Sequence, residues 1–234
     1  MAKKTLTFDY RFKREDGSVN QFRIELDPAS LEMILPAKKG YPEWTKLTFH
    51  QCANCPLKPE SDPYCPIAKN LSEIIEFFKS SISFEEVDVE ITTPARTYSK
   101  HTSLQDAMSS LIGIFMVTSG CPVMDKLRPM VRTHLPFATL EESMYRALSM
   151  YLMAQYFIVK HGGTPDWNMH DLVNIFQDVR VVNNHFFKRI AKIQVQEASL
   201  NAVVHLDCFA NFTSSVLLEK NLDEMEKMFA AYFR

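Results

Sequence analysis

TLTFDYRFKR, residues 5–14, decides the fold class. Leu6, Phe8, Tyr10 and Phe12 fall on one side of an extended chain, and Thr7, Asp9, Arg11 and Lys13 on the other. Period two with one apolar face predicts a half-buried β-strand. Asp16-Gly17 is a hairpin turn signal, and Phe22, Ile24 and Leu26 line the returning strand. Asp27-Pro28 breaks it; Leu31–Leu35 suits either a short strand or a helical turn, and Trp44–Phe49 reads as extended. Residues 84–92 alternate again, with Val87, Val89 and Ile91 inward and Glu86, Asp88 and Glu90 outward, which predicts an antiparallel partner for the first strands.

Outward from this sheet the period changes to 3.6. Ile67, Leu71, Ile74, Ile75 and Phe78 mark a helix leaving Cys65. From about residue 102 the reading is helical throughout. Thr102 or Ser103 caps a helix that Gly120 ends, Cys121-Pro122 restarts it, and Leu135-Pro136 stops it. Thr139 with Glu142 forms a capping box for a long helix to about His161. Gly162-Gly163 closes that helix, Thr164-Pro165 opens another to about Ile193, and two more cover residues 197–217 and 221–233. The expected architecture is α+β: a small N-terminal antiparallel sheet, a cysteine-rich loop, and a C-terminal bundle of about five helices. Residues 1–101 hold the sheet, the loop and one helix, and residues 102–234 the bundle, as one compact unit joined by a metal site.

Composition removes several function classes. A net charge of −2 over 234 residues argues against broad nucleic-acid or anionic-membrane binding. The opening MAKKTLTFDYRFKRED turns polar at once, unlike a secretory signal, and the longest apolar run, Leu111–Val117, is too short to span a bilayer. Five cysteines, an odd number, suit a reducing cytoplasm better than a disulfide framework. Six glycines leave no phosphate cradle of the G-x-G-x-x-G or P-loop kind. H-E-x-x-H, G-x-S-x-G and paired Glu-x-x-His motifs are likewise missing from the sequence, so it gives no sign of a zinc protease, a serine hydrolase or a di-iron bundle.

The chemistry concentrates in FHQCANCPLKPESDPYCP, residues 49–66, and in TSGCPV around Cys121. Cys52 and Cys55 have the C-x2-C spacing by which two thiolates grip one ion or cluster. Cys55, Cys65 and Cys121 each precede a proline, a residue favoured at the first helical position, so each is a candidate N-cap. The partial positive charge of a helix start favours the thiolate that metals bind. Small buried hydrophobes are the plainer reading of single cysteines. That reading does not explain why four of the five stand at turn or helix-start signals. Cys208, inside the helical pattern NAVVHLDCFANF, is the contrast and is expected in the core.

Cys52, Cys55, Cys65 and Cys121 are therefore the expected metal ligands. One pair joined by two scattered single cysteines resembles the [4Fe–4S] clusters of larger enzymes more than the two paired knuckles of structural zinc. Zinc on four cysteines, or on three with His50, is the alternative. The proline-rich loop holds few large apolar residues, so its order is expected to depend on the metal, which would also stitch sheet to bundle. A thioredoxin-like dithiol ranks below both, since it leaves Cys65 and Cys121 unused.

Asp125, Arg128, Arg132 and His134 follow Cys121, with Asp125 and Arg128, and Arg128 and Arg132, at helical i,i+3 and i,i+4 spacing. A solvated charged face is the plainer reading. As functional candidates, Arg128, Arg132 and His134 could set the potential of a nearby cluster or hold an anionic ligand. Arg96, Tyr98 and His101 read as a loop before a helix start, with a weak anion-binding signal.

The set F-x-x-C-x-x-C-P-L at Phe49–Leu57, Y-C-P-x-A at Tyr64–Ala68, and S-G-C-P-x-x-D-x-L-R-P-M-x-R-x-H-L-P-F-A at Ser119–Ala138 resembles a family of bacterial proteins with no assigned activity. The resemblance covers most of the chain and implies a bacterial cytoplasmic source. The functional expectation is a cysteine-ligated metalloprotein, with a [4Fe–4S] cluster in redox sensing or electron transfer. The alternative is a binding or regulatory module built on structural zinc. Either would act with a protein or small-molecule partner and without a membrane.

Overall fold

The computed structural model describes residues 5–36, 38, 40–219 and 222–233. The first four residues, and the Asn221 start expected for the last helix, lie outside them. Strands β1 (Leu6–Arg14), β2 (Val19–Leu26), β3 (Glu86–Thr92) and β4 (Thr97–Ser103) form one antiparallel sheet in the order β2-β1-β3-β4. Phe8, Tyr10, Phe12, Ile24, Val87, Val89 and Ile91 are buried on one face. The other face meets solvent and carries ion pairs such as Arg23 with Asp9 and Glu25. The α+β class and the alternation of the first three strands are as the sequence predicts.

β4 departs from the loop expected there. TYSKHTS has a single buried residue, Thr102, and no apolar alternation to announce a strand. It pairs fully with β3, and His101 bonds Asp88 across the ladder at 2.8 Å. As the outer strand, with Lys100 and His101 exposed, it has the polar character that keeps sheet edges from pairing with other chains. Trp44–Phe49 is also not extended: Glu43–Thr45 and Leu47–Phe49 are single 3₁₀ turns, because Trp44 and Leu47 both turn into the core. Met33 makes one bridge to Leu26.

Helix α1 (Pro66–Phe77) leaves Cys65, its N-cap, with proline in the first turn. Helix α2 (Leu104–Val117) starts at Ser103, whose side chain accepts from the Asp106 amide. With eight buried residues it is the central helix, set between the sheet, α1 and the later helices. After Gly120, at φ +84, residues Met124–Thr133 form a run of 3₁₀ helix instead of the α-helix expected, with Pro129 inside it. α3 (Leu140–Lys160) begins in the predicted capping box, Thr139 with Glu142. α4 (His170–Ala191) and α5 (Glu197–Leu218) pack side by side, and α5 also lies on α2. The last expected helix is a short α6 (Asp223–Lys227) followed by a 3₁₀ turn. No helix among the described residues is long and apolar enough to cross a membrane.

One continuous buried cluster runs from Phe8 on β1 to Ala210 on α5. Sheet and bundle thus share a core, independent of anything bound at the cysteines. Cys208 is exposed, not buried as expected: on α5 the buried line runs through Ala202, Val203, Ala210 and Thr213, and Cys208 falls outside it.

Candidate metal centre

The cysteine loop is a closed excursion between the first 3₁₀ turns and α1. The Leu47 amide donates to the Pro63 carbonyl at 2.9 Å and the Cys65 amide to the Thr45 carbonyl at 2.8 Å, so the loop's two ends meet. Within it the Cys55 amide donates to the Cys52 carbonyl at 3.1 Å, the tight turn that a C-x2-C pair makes. Gln51 donates to the Leu57 carbonyl at 2.9 Å, and Asn54 reaches both the carbonyl and carboxylate of Asp178 on α4 at 3.0 Å. Of the three Cys-Pro pairs only Cys65 stands at the N-cap of an α-helix; Pro56 follows a turn, and Cys121 lies two residues before the N-cap of the 3₁₀ run.

These elements bring Cys52, Cys55, Cys65 and Cys121 to one enclosed cavity of about 20 Å³. Leu47, Leu57, Ile67, Val123 and Val182 line the rest, together with the side chain of Arg189. Cys65 and Cys121 are buried; Cys52 and Cys55 are partly so. Asn70 of α1 donates to the Ser119 carbonyl at 3.4 Å and the Ser119 hydroxyl accepts from the Cys121 amide at 3.2 Å, which ties the α1 start to the Cys121 turn.

Burial pushes the Cys52 thiol up to about 12, and the nearby Cys65, Cys121 and Cys55 add to the effect. Cys121 is pushed up to about 11, again first by burial, although the backbone N–H groups of Val123 and Met124 face its sulfur and favour the thiolate. Without a cation these thiols are protonated at neutral pH. A thiophilic metal reverses this, since coordination deprotonates a thiol outright.

Arg189 is the charged side chain beside the cysteines that the sequence reading missed. It is 2% exposed, and its guanidinium donates to the carbonyls of Trp44, Lys46, Leu47 and His50 at 2.6, 2.8, 3.4 and 2.6 Å. No carboxylate among the described residues pairs with it. Burial works against its charge, and the nearby Cys65, Cys52 and Cys55 sulfurs support it. The signal was present: Val182, Phe186, Arg189 and Ile193 repeat at helical spacing, which puts an arginine on the apolar stripe of α4.

The other candidates lie elsewhere. His50 does not line the cavity; its Nδ1 faces Lys192 Nζ at 3.3 Å and its ring rests against His185 with centroids 5.1 Å apart. Arg128 pairs with Asp125 at 3.2 Å and Glu32 at 3.3 Å, the charged surface face that is the plainer reading of this stretch. Arg132 and His134 line a different cavity, also bordered by Arg96 and Tyr98.

The donor set suits a soft metal: four thiols with a buried cation beside them. Among the described residues no group of three or more His, Cys, Asp or Glu side chains is placed to hold a metal ion, although the four cysteines line one cavity. No curated protein and no solved structure matches the chain. A family model, described as a domain of unknown function (DUF6901), matches residues 8–230, and the chain belongs to that family.

Proposed function

We propose that this protein is a metalloprotein whose Cys52, Cys55, Cys65 and Cys121 hold a [4Fe–4S] cluster serving redox sensing or electron transfer. The observation that carries the reading is Arg189. A buried guanidinium without a carboxylate is costly, and the groups within its reach that can turn anionic are the cysteine sulfurs. Four metal-bound thiolates supply the missing negative charge, and the arginine in turn raises the potential of the centre they form. Bound there, a cluster supplies one-electron chemistry. The chain's own part is to enclose it with Leu47, Leu57, Ile67 and Val182 and to keep Arg189 beside it.

Four cysteines lining one cavity supply the number of thiolates that a [4Fe–4S] cluster takes. The volume of about 20 Å³ favours the second reading, a structural zinc on the same four thiolates, because a cluster requires the loop to open outward. Anaerobic purification followed by metal and sulfide analysis separates them. The cluster predicts a brown protein with about four irons and four sulfides per chain. A colourless protein with about one zinc establishes the alternative, and a protein free of both metals removes the proposal.

A further inference from the structure

A second cavity, of about 390 Å³, opens at the far end of the sheet. Its origin lies in strand register. β3 stops pairing with β1 at Thr92 opposite Asp9, so Leu6 and Phe8 run on past the end of β3. The β3–β4 turn, Thr93–Arg96, stands beside them, and the chain leaving the 3₁₀ run at Arg132–Leu135 forms the opposite wall. Arg146 closes the space from α3.

Three guanidinium groups, Arg96, Arg132 and Arg146, border this one space, and none of the residues that line it is acidic. Arg96 and Arg132 have no carboxylate partner among the described residues. Arg146 donates one Nη2 bond to the Met130 carbonyl at 2.9 Å, and its Nε is buried with no partner. Glu142, one helical turn before it, is engaged in the capping box at the Thr139 amide. An arginine with an unused buried donor beside two more unpaired arginines asks for an oxyanion, whose geometry the guanidinium fork matches.

His134 adds a fourth donor. Its Nε2 lies 2.8 Å from the Tyr10 hydroxyl and 3.3 Å from that of Ser110. When Nε2 accepts from either hydroxyl, the proton of the neutral ring sits on Nδ1, which has no partner among the described residues. The ring is kept neutral by burial and by Arg146. Leu6, Phe8, Pro94 and Leu135 supply apolar walls. A bare inorganic anion leaves those walls idle; a ligand with an apolar body covers them.

We propose that this cavity binds a small organic anion, a phosphate or carboxylate head gripped by Arg96, Arg132, Arg146 and His134 with an apolar body against Phe8 and Leu135. The proposal stands whether the cysteines hold iron, zinc or nothing. The protein as purified is titrated calorimetrically with phenyl phosphate and with phenylacetate, using benzyl alcohol and inorganic phosphate as references. Saturable 1:1 binding of phenyl phosphate or phenylacetate is expected, with benzyl alcohol inert and inorganic phosphate weaker. Arg132→Gln and Arg96→Gln, both at exposed positions, weaken it by about tenfold or more each, the loss of a charge-assisted hydrogen bond. Arg128→Gln, which removes the same charge from a residue outside the cavity, leaves it unchanged. Absence of saturable binding by both aromatic anions overturns the proposal, as does equal weakening by Arg128→Gln. Inorganic phosphate binding as tightly as phenyl phosphate overturns the apolar part of the assignment.

Discussion

Arg189 Nη2 donates to the carbonyl of His50 at 2.6 Å, joining α4 to the residue two before the first cysteine across 139 positions of sequence. The same guanidinium holds three further carbonyls of the 3₁₀ turns entering the loop. The cysteine loop is therefore fastened from below by one arginine before any metal arrives. The expected dependence of its order on a metal is thus joined by a second fastening from within the chain. Arg189→Met removes every donor and leaves the carbonyls of Trp44, Leu47 and His50 without it, while that of Lys46 keeps only the Phe49 amide. We expect a loss of about 3 kcal/mol in chemical denaturation, faster cleavage between residues 50 and 66, and lowered metal content. Unchanged proteolysis would show that the loop is held elsewhere.

The exposure of Cys208 sets a reactivity order. In metal-free folded protein a thiol reagent at pH 8 should modify Cys208 first. Cys52 and Cys121, pushed up to about 12 and 11 by burial, hold less thiolate and react more slowly. One fast thiol is expected, and it disappears in Cys208→Ser. Two or more fast thiols would mean that the cavity is open to solvent.

What the sequence made legible follows the strength of each local signal. The alternation of Leu6, Phe8, Tyr10 and Phe12 has one physical solution, and so does the Thr139–Glu142 box. Thr139→Ala should cost about 1 kcal/mol with the fold intact, measured by thermal or urea unfolding. The four cysteines were legible as a set because turn and helix-start signals mark them, and they do line one cavity. The arginine beside them was not, since Arg189 reaches the cavity from a helix far along the chain. β4 was missed because TYSKHTS has no apolar alternation, with Tyr98 its one large apolar side chain. The cavity of Arg96, Arg132 and Arg146 comes from strand register and from a helix that local pattern cannot connect to it.

His134 links that cavity to acid stability. Burial, helped by Arg146, lowers its pKa from the ordinary 6.5 to about 3. A depressed folded-state pKa means that the unfolded chain takes the proton first. The stability involved is present above about pH 6.5 and is lost as pH falls toward 3. We expect a loss on the order of 4 kcal/mol across that window. His134→Gln can still bond the Tyr10 hydroxyl but does not titrate, so its stability should fall less between pH 6.5 and pH 3. Parallel profiles for the two proteins would remove His134 as the cause.

Cys121 carries the sharpest test of the metal centre. It is the one proposed ligand outside the loop, placed by the turn after α2 and tied through Ser119 to the start of α1. Serine at this position keeps a group that can accept from the Val123 and Met124 amides, so the local backbone survives. Serine is a far poorer ligand for soft metals, so bound metal should fall well below one centre per chain. Sheet and helices share one core from Phe8 to Ala210, so circular dichroism and the docking of the two halves should hold. Cleavage between residues 50 and 66 should rise, but less than in Arg189→Met, because the four carbonyl bonds remain. Full metal content in Cys121→Ser, with wild-type resistance to cleavage, would show that the centre is built without Cys121. Wholesale unfolding would instead show that the metal carries more of the fold than the shared core does.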